Sequence, residues 1–180
     1  MSPTSNRNTA DGTLLHRDGT YILRYERRLR HPLDRVWAAI TEPEQIAEWL
    51  GEADLELVAG GAIELRWLNV REEGDRYAAI ARGRVSALDP PHLLELDTDV
   101  HGVLRWELRE EADGTALTFT VTVAIDHDQV LMNAAGWDIH LQHLEDALAG
   151  QPVDWPRWWQ EHYPRWQELH AAYAARYPAA

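Results

Sequence analysis

The fold is decided by residues 115–150, which read TALTFTVTVAI (115–125) and then DHDQVLMNAAGWDIHLQHLEDALAG (126–150). In the first part apolar side chains alternate with threonines, as they do in a strand with one buried and one wet face. After Asp126, which is placed to cap a helix, the apolar period becomes 3.6 and continues to Gly150. A long C-terminal helix is therefore predicted to cover an antiparallel sheet.

Upstream of this segment the chain contains further alternating runs. A strand is predicted at residues 21–29, with a short arm before it that turns at Asp18-Gly19. Two short helices follow, opened by Pro32 and Pro43. The remaining strands are predicted at 55–57, 63–69, 77–88, 93–100 and 103–110, with a tight turn at Gly60-Gly61 after the first of them. The predicted class is α+β, with four or five hairpin-linked strands.

The composition excludes several classes of function. The chain has 180 residues and a net charge of −13, so contacts with nucleic-acid phosphates or with anionic membranes are disfavoured. It has no Cys, which excludes disulfides, thiol nucleophiles and iron–sulfur clusters. All 17 basic residues are Arg, and the absence of Lys excludes Schiff-base chemistry, pyridoxal phosphate anchoring and a phosphate-loop lysine. No cofactor is expected.

Three segments are predicted along the chain. Residues 1–12 are polar and are expected to be a disordered start without a signal sequence, which favours a cytoplasmic protein. Residues 13–150 form the folded domain, and no run in the chain is apolar enough to span a membrane. Residues 151–180 form a Trp-rich tail with helical spacing, divided at Pro164. This tail is expected to pack on its own domain or on a second copy in a homodimer, in preference to a foreign partner.

An ordered set of short motifs resembles a known family. The motifs are LRYERRLRHP (23–32), VW (36–37), TEP (41–43), Trp49, GG (60–61), DPP (89–91), DGT (113–115) and AGW (135–137), followed by Leu141, Leu144, Leu148 and Gly150. Each is common alone, but in this order they resemble bacterial homologues of the activator of heat-shock-protein ATPase, in the START/Bet v 1-like (SRPBCC) superfamily. The resemblance covers about residues 13–150. It implies a helix-grip fold, in which a curved sheet wraps the long helix and leaves an apolar cavity, and it implies no universal catalytic set.

Side-chain parity provides candidates for the wall of such a cavity. Small residues on one strand would leave space, and large aromatic residues on others would border it. The candidate ligand-binding residues are Trp67, Asn69, Ala81, Gly83, Leu96, Trp106, Phe119, Val121, Trp137 and His140. The alternative is a closed core, in which the large side chains of the long helix fill the gap.

Polar residues on these elements have competing interpretations. His140 could contact a ligand or act as an acid or base, or it could be a satisfied boundary residue, while His143 is expected on a solvated flank. These two histidines lack a third convergent ligand, so no metal site is expected. Asn69 either orients a ligand or caps a turn, and Arg27 is expected to form an ion pair with a carboxylate.

Three functions follow from these observations. The leading one is a carrier or sensor that holds a small hydrophobic or aromatic molecule between the sheet and the long helix. The second is an enzyme of the cyclase or dehydratase kind, with His140 as the weak catalytic candidate. The third, a chaperone-linked interaction protein, is suggested by the family name alone.

Overall fold

The computed structural model describes residues 10–69 and 80–179. Within them the strands are β1 Thr13–Arg17, β2 Thr20–Leu29, β3 Glu52–Leu55, β4 Ala62–Arg66, β5 Ile80–Asp89, β6 Leu93–Thr98, β7 Gly102–Glu111 and β8 Gly114–Val123. The helices are α1 Leu33–Thr41, α2 Pro43–Ile46, α3 His127–Leu148, α4 Trp158–Glu161 and α5 Tyr163–Arg176, with a 3-10 turn at Trp155–Arg157. The strands form one antiparallel sheet in the order β1-β2-β8-β7-β6-β5-β4-β3. The predicted α+β helix-grip architecture is confirmed.

The sheet and its covering helix form where the local patterns predicted them. Inward side chains of β8 are buried, and Thr118, Thr120 and Thr122 on its other face are half-buried. Asp126 accepts a hydrogen bond from the Gln129 backbone N–H at 2.8 Å and completes a capping box at the start of α3. Asp18 and Gly19 have φ angles of 51° and 75°, as a two-residue hairpin between β1 and β2 requires.

Other parts of the sheet differ from the sequence prediction. The described residues contain eight strands, where four or five hairpin-linked strands were expected. Gly60 and Gly61 lie in the loop that joins the paired strands β3 and β4, and the Gly61 N–H donates to Val58 O at 2.9 Å. The loop is longer than a two-residue hairpin, and it also pairs with β5: the Gly60 N–H donates to Val85 O, and the Gly61 carbonyl accepts from the Val85 N–H. β4 ends at Arg66, so Trp67 and Asn69 follow the strand. Residues 77–79, the first three of the strand predicted at 77–88, lie outside the described residues.

The tail packs on the folded core. Trp158, Leu169 and Tyr173 are buried within the main hydrophobic cluster. Its beginning is fixed by hydrogen bonds from Trp155 Nε1 to Ala47 O (2.7 Å) and from Val153 N to Glu48 O (2.9 Å). The segment 151–158 therefore lies against the chain that follows α2.

The first described residues also contact the tail. The Gly12 N–H donates to the Tyr173 hydroxyl at 2.9 Å, and Asp11 forms an ion pair with Arg27 at 2.8 Å. Residues 10–12, expected to belong to a disordered start, thus hold specific contacts. Among the described helices, none combines the length and the hydrophobicity that a membrane crossing needs.

Candidate ligand-binding site

An apolar cavity lies between the sheet and the α1–α2 segment. Its volume is about 20 Å³, little more than the space of one water molecule. It is lined by Ile40, Ile46, Trp49, Leu50, Ala53, Leu55, Ile63, Leu65, Ala81, Leu96, Thr98, Leu104 and Trp106. The cavity was expected between the sheet and the long helix, but none of these described residues belongs to α3. The reason is that α1 and α2, together with the turn after them, cover strands β3–β7 and form the opposite wall.

The wall opposite the sheet is held by Trp49. This side chain is almost fully buried, and its Nε1 donates to the Ala39 carbonyl at 2.8 Å. The bond ties the turn after α2 to α1, so Ile46, Trp49 and Leu50 face the sheet together. Sequence reasoning used Trp49 only as part of a family motif. The Pro-opened short helices with apolar residues on one side were the signal that could have placed them at a site.

The two small residues of β5 have different roles. Ala81 lines the cavity beneath α1 and α2. Gly83 instead lines an open groove on the outside of the β3–β4 hairpin. A Cβ at Gly83 would lie 2.0 Å from the Asp97 carbonyl oxygen, so glycine is required for the close approach of β5 and β6.

The polar side-chain groups of the lining residues are the Thr98 hydroxyl and the indole N–H groups of Trp49 and Trp106. The Thr98 hydroxyl donates to the Gly102 carbonyl at 2.8 Å and accepts from the His101 N–H at 3.2 Å. Trp106 is 3% exposed, and its Nε1 is buried without a hydrogen-bond partner in the described residues. An indole N–H can only donate, so this donor is unsatisfied among the described residues.

Aromatic rings continue from the cavity towards α3. Trp106 stacks on Phe119 with ring centroids 4.7 Å apart, and Phe119 meets Trp137 at 5.1 Å. Trp67 contacts both Trp137 (5.5 Å) and His140 (5.1 Å). Five predicted site residues therefore contact one another in series between the sheet and α3, next to the cavity rather than around it.

His101 joins this ring series and was not predicted as a site residue. Its Nε2 accepts from Trp67 Nε1 at 2.9 Å, so the ring is neutral at that nitrogen. Burial lowers the pKa of His101 to about 4, although the nearby Asp99 carboxylate acts in the opposite direction. The sequence marked His101-Gly102 only as a turn, and no local signal indicated that the imidazole is buried.

The imidazole of His140 is buried on the α3 side of the ring series. Its Nδ1 lies 2.7 Å from the Gly136 carbonyl, which can only accept, so Nδ1 carries the proton. Its Nε2 is buried and without a hydrogen-bond partner in the described part of the chain. Burial lowers the pKa of His140 to about 4, despite the opposing bond to Gly136. The neutral ring therefore presents a free lone pair.

His143 was expected on a solvated flank, and this is wrong. The residue is 2% exposed, and its Nε2 accepts from Trp158 Nε1 at 3.1 Å. Burial lowers the pKa of His143 to about 2, helped by the nearby imidazoles of His140 and His162. The tail covers this flank, which the helical period of α3 alone could not indicate.

Two of the remaining candidates, Leu96 and Trp106, line the cavity. The other two lie apart from it: Val121 is buried in the centre of β8, and Asn69 is half-buried at a bend beyond β4. Arg27 forms the expected ion pairs, to Asp11, Asp138 and Glu145.

Solved structures show the same architecture. A protein from Bordetella parapertussis encoded by gene BPP1335 is 26% identical with a TM-score of 0.67, covering 98% of this chain and 95% of that one. CalU16 from Micromonospora echinospora is 26% identical with a TM-score of 0.65, covering 92% and 96%. DynU16, from the dynemicin biosynthetic locus, is 23% identical with a TM-score of 0.63, covering 73% of this chain and 48% of that one. At this identity DynU16 shows the fold alone. No curated protein matches the chain.

The family is shown by a match over most of the folded domain. Residues 30–149 match the family model described as activator of Hsp90 ATPase homolog 1-like protein. The match begins at the end of β2 and ends just after α3, so it contains every residue that lines the cavity. The chain therefore belongs to the activator of Hsp90 ATPase homolog 1-like family, within the START/Bet v 1-like superfamily.

Proposed function

We propose that the protein binds a small hydrophobic or aromatic molecule in the cavity beneath α1 and α2, as a carrier or sensor. The observation that carries this proposal is the enclosed wall, in which Thr98 is the only residue of the thirteen without an apolar side chain. Apolar pockets with few polar groups are the usual form of small-molecule sites. The ligand gains free energy by leaving water for this wall.

Entry of a ligand requires the wall to move, since the cavity of about 20 Å³ holds no more than a few atoms. The α1–β3 side is the part expected to move, because α2 and β3 have four residues each and the opposite wall is a continuous sheet. The tail is attached there through Ala47 and Glu48. Ligand binding is therefore expected to be linked to the position of the tail.

The proposal is tested by filling the cavity. The uncharged fluorophore N-phenyl-1-naphthylamine is titrated into the wild type and into Ala81→Leu, whose added side chain occupies the cavity. Affinity is expected to fall at least tenfold. The matched control is Ala116→Leu, on the half-buried outward face of β8, which should bind as the wild type does.

Circular dichroism establishes that both variants are folded, and Ala81→Val provides a smaller change in case the leucine overpacks the site. Absence of probe binding to the wild type, or unchanged affinity in folded Ala81→Leu, would remove the proposal.

The enzyme alternative is favoured by one observation, the free lone pair on His140 Nε2. With its pKa near 4, this imidazole would act as a base or hydrogen-bond acceptor at neutral pH. A molecule retained through purification is identified by native mass spectrometry and incubated with the protein. A change in the mass of this molecule on incubation with the wild type, absent with His140→Phe, would favour an enzyme, and an unchanged mass would favour a carrier.

The chaperone-linked role stays a prediction that rests on the family description.

A further inference from the structure

We infer that residues 151–158 form a latch on the wall of the cavity, and that a proton bound by His143 releases this latch and lets the ligand leave. This inference rests on the proposed function and adds how ligand exchange at that site is controlled. It is supported by the hydrogen bonds at the two ends of the latch, by the valence of the His143 ring and by the groups around that ring.

The latch is bonded to the cavity wall at one end. Trp155 Nε1 donates to the Ala47 carbonyl at 2.7 Å. The Val153 N–H donates to the Glu48 carbonyl at 2.9 Å. The two accepting residues come directly after α2 and directly before Trp49, whose side chain lines the cavity. Movement of this wall away from the sheet therefore breaks both bonds or carries the latch with it.

The other end of the latch is bonded to α3. The indole of Trp158 is buried, and its Nε1 donates to Nε2 of His143 at 3.1 Å. The ring centroid of Trp155 lies 6.2 Å from that of His140 and 6.3 Å from that of His143. The latch thus ties the cavity wall to the long helix, although none of the described residues that line the cavity belongs to α3.

The bond between Trp158 and His143 cannot coexist with a charged imidazole. An indole N–H can only donate, so Nε2 of His143 is the acceptor and the neutral ring carries its hydrogen on Nδ1. A second proton binds only at Nε2, where it places an N–H group opposite the indole N–H. Protonation of His143 and closure of the latch therefore exclude each other.

The groups around His143 do not compensate a positive charge on its ring. The ionisable side chains at this junction of α3, the 3-10 turn and α4 are His140, His143, Asp146, Arg157, Glu161 and His162. Burial, helped by the imidazoles of His140 and His162, lowers the pKa of His143 to about 2. The carboxylates of Asp146 and Glu161 act on His162 instead. The closed latch therefore rejects a proton that the open latch accepts.

Acidification should accordingly favour the open latch. In the open state the His143 ring contacts water and titrates near its ordinary pKa of about 6.5, so a pH below this value stabilises the open state alone. Between pH 7.5 and 5.5 the open fraction is expected to rise about tenfold. Ligand release through this opening should accelerate by the same factor.

The test measures the dissociation rate of N-phenyl-1-naphthylamine by stopped-flow fluorescence, with near-UV circular dichroism to show that the protein stays folded. The wild type is expected to release this probe about tenfold faster at pH 5.5 than at pH 7.5. His143→Gln keeps an acceptor for Trp158 but cannot be protonated, so the ratio of the two rates should fall to about one. His16→Gln, which removes an exposed imidazole on β1, should keep the wild-type ratio.

The link between the latch and the wall is tested at pH 7.5. Trp155→Phe keeps an aromatic ring but removes the bond to Ala47, and it should release the probe about fivefold faster than the wild type, the effect expected for one hydrogen bond. Trp166→Phe, on α5, is the matched control and should release the probe at the wild-type rate.

A further readout needs no ligand. The Val153 amide hydrogen is bonded to Glu48, and its opening equilibrium, measured by NMR hydrogen exchange, should rise about tenfold from pH 7.5 to 5.5 in the wild type but not in His143→Gln.

A release rate independent of pH in the wild type, a pH effect that persists in His143→Gln, or unchanged release in Trp155→Phe would overturn the inference alone. Absence of probe binding at pH 7.5 would remove the proposed function, and the exchange of the Val153 amide would then decide whether the latch opens with acid.

Discussion

The buried guanidinium of Arg27 connects three parts of the chain. It forms ion pairs with Asp11 at 2.8 Å, Asp138 at 3.1 Å and Glu145 at 3.1 Å, and its side chain is 8% exposed. Asp138 is fully buried and also accepts from the Tyr173 hydroxyl at 2.7 Å. Burial alone would lower the pKa of Arg27, but the three carboxylates outweigh it and raise that pKa. The residue is thus a structural cation rather than a ligand contact.

Removing this cation should be costly. Arg27→Met leaves the Asp138 carboxylate buried without its ionic partner, and the free energy of unfolding is expected to fall by about 3–5 kcal/mol. The matched control is Arg24→Met on the same strand, where the ion pair with Glu26 is exposed, and a loss of about 0–1 kcal/mol is expected. Urea denaturation at pH 7 measures both. Similar small losses in the two variants would show that the buried network contributes little.

At the scale of elements, the interface between α3 and the tail is built from imidazoles and indoles. His143 accepts a hydrogen bond from the Trp158 indole. The ring centroid of His143 lies 4.5 Å from that of His162 and 5.6 Å from that of His140. The carboxylates that act on His162 are Glu161 and Asp146. The docked tail therefore requires the rings of His140 and His143 to be neutral, because burial and the neighbouring imidazoles both disfavour their charged forms.

This requirement predicts acid sensitivity. Burial lowers the pKa of His101 and His140 to about 4 and that of His143 to about 2, from the ordinary value of about 6.5. The unfolded chain therefore binds protons that the folded protein does not. Stability should be constant above about pH 6.5 and fall as the pH decreases towards 4, by about 1.4 kcal/mol per pH unit for each histidine.

The prediction is measured by urea denaturation between pH 7.5 and 4.5. His143→Gln keeps an acceptor for Trp158 but cannot be protonated, so its stability should fall less steeply by about 1.4 kcal/mol per pH unit. His16→Gln, which removes an exposed imidazole on β1, should keep the wild-type slope. An unchanged slope in His143→Gln would show that this histidine is already accessible to protons in the folded state.

Local patterns were sufficient for the elements that make local interactions. The alternation in β8, the cap at Asp126 and the Asp18-Gly19 turn each determine their structure through neighbours in sequence. The Gly60-Gly61 pattern predicted the turn between β3 and β4 but not the additional pairing of this loop with Val85 on β5, because a residue this distant leaves no mark on the local pattern.

The candidate site was predicted in part for the same reason. Strand parity, which follows from the pleat, placed Ala81 and Trp106 on the inward face, and both line the cavity beneath α1 and α2. Gly83 has the same parity but lines the neighbouring groove instead. The other wall depends on how α1 and α2 dock, and the burial of His143 depends on Trp158, 15 residues further along the chain. Such tertiary contacts become visible only when the chain is folded.

At the scale of the whole molecule, the tail completes the sheet edge as well as the core. β1 is an edge strand, and exposed edges favour pairing with other chains. The hydroxyl of Tyr177 accepts from the Leu14 N–H at 3.1 Å, and that of Tyr173 accepts from the Gly12 N–H at 2.9 Å. The end of the tail thus engages outward backbone donors at the start of this edge.

Because the same side chains join the first residues, the sheet, α3 and α5, the tail should unfold together with the domain. Tyr173 is fully buried, and its hydroxyl bonds both Gly12 and Asp138. Amides in the middle of α5 are expected to exchange with solvent at the same opening free energy as those of α3, close to the global value, in hydrogen-exchange mass spectrometry. Tyr173→Phe should lower protection in both helices by the same amount, whereas Tyr177→Phe, at the half-buried end of the tail, should lower it little. Exchange of α5 at a much lower free energy than α3, with α3 unaffected by Tyr173→Phe, would instead make the tail a separately opening segment.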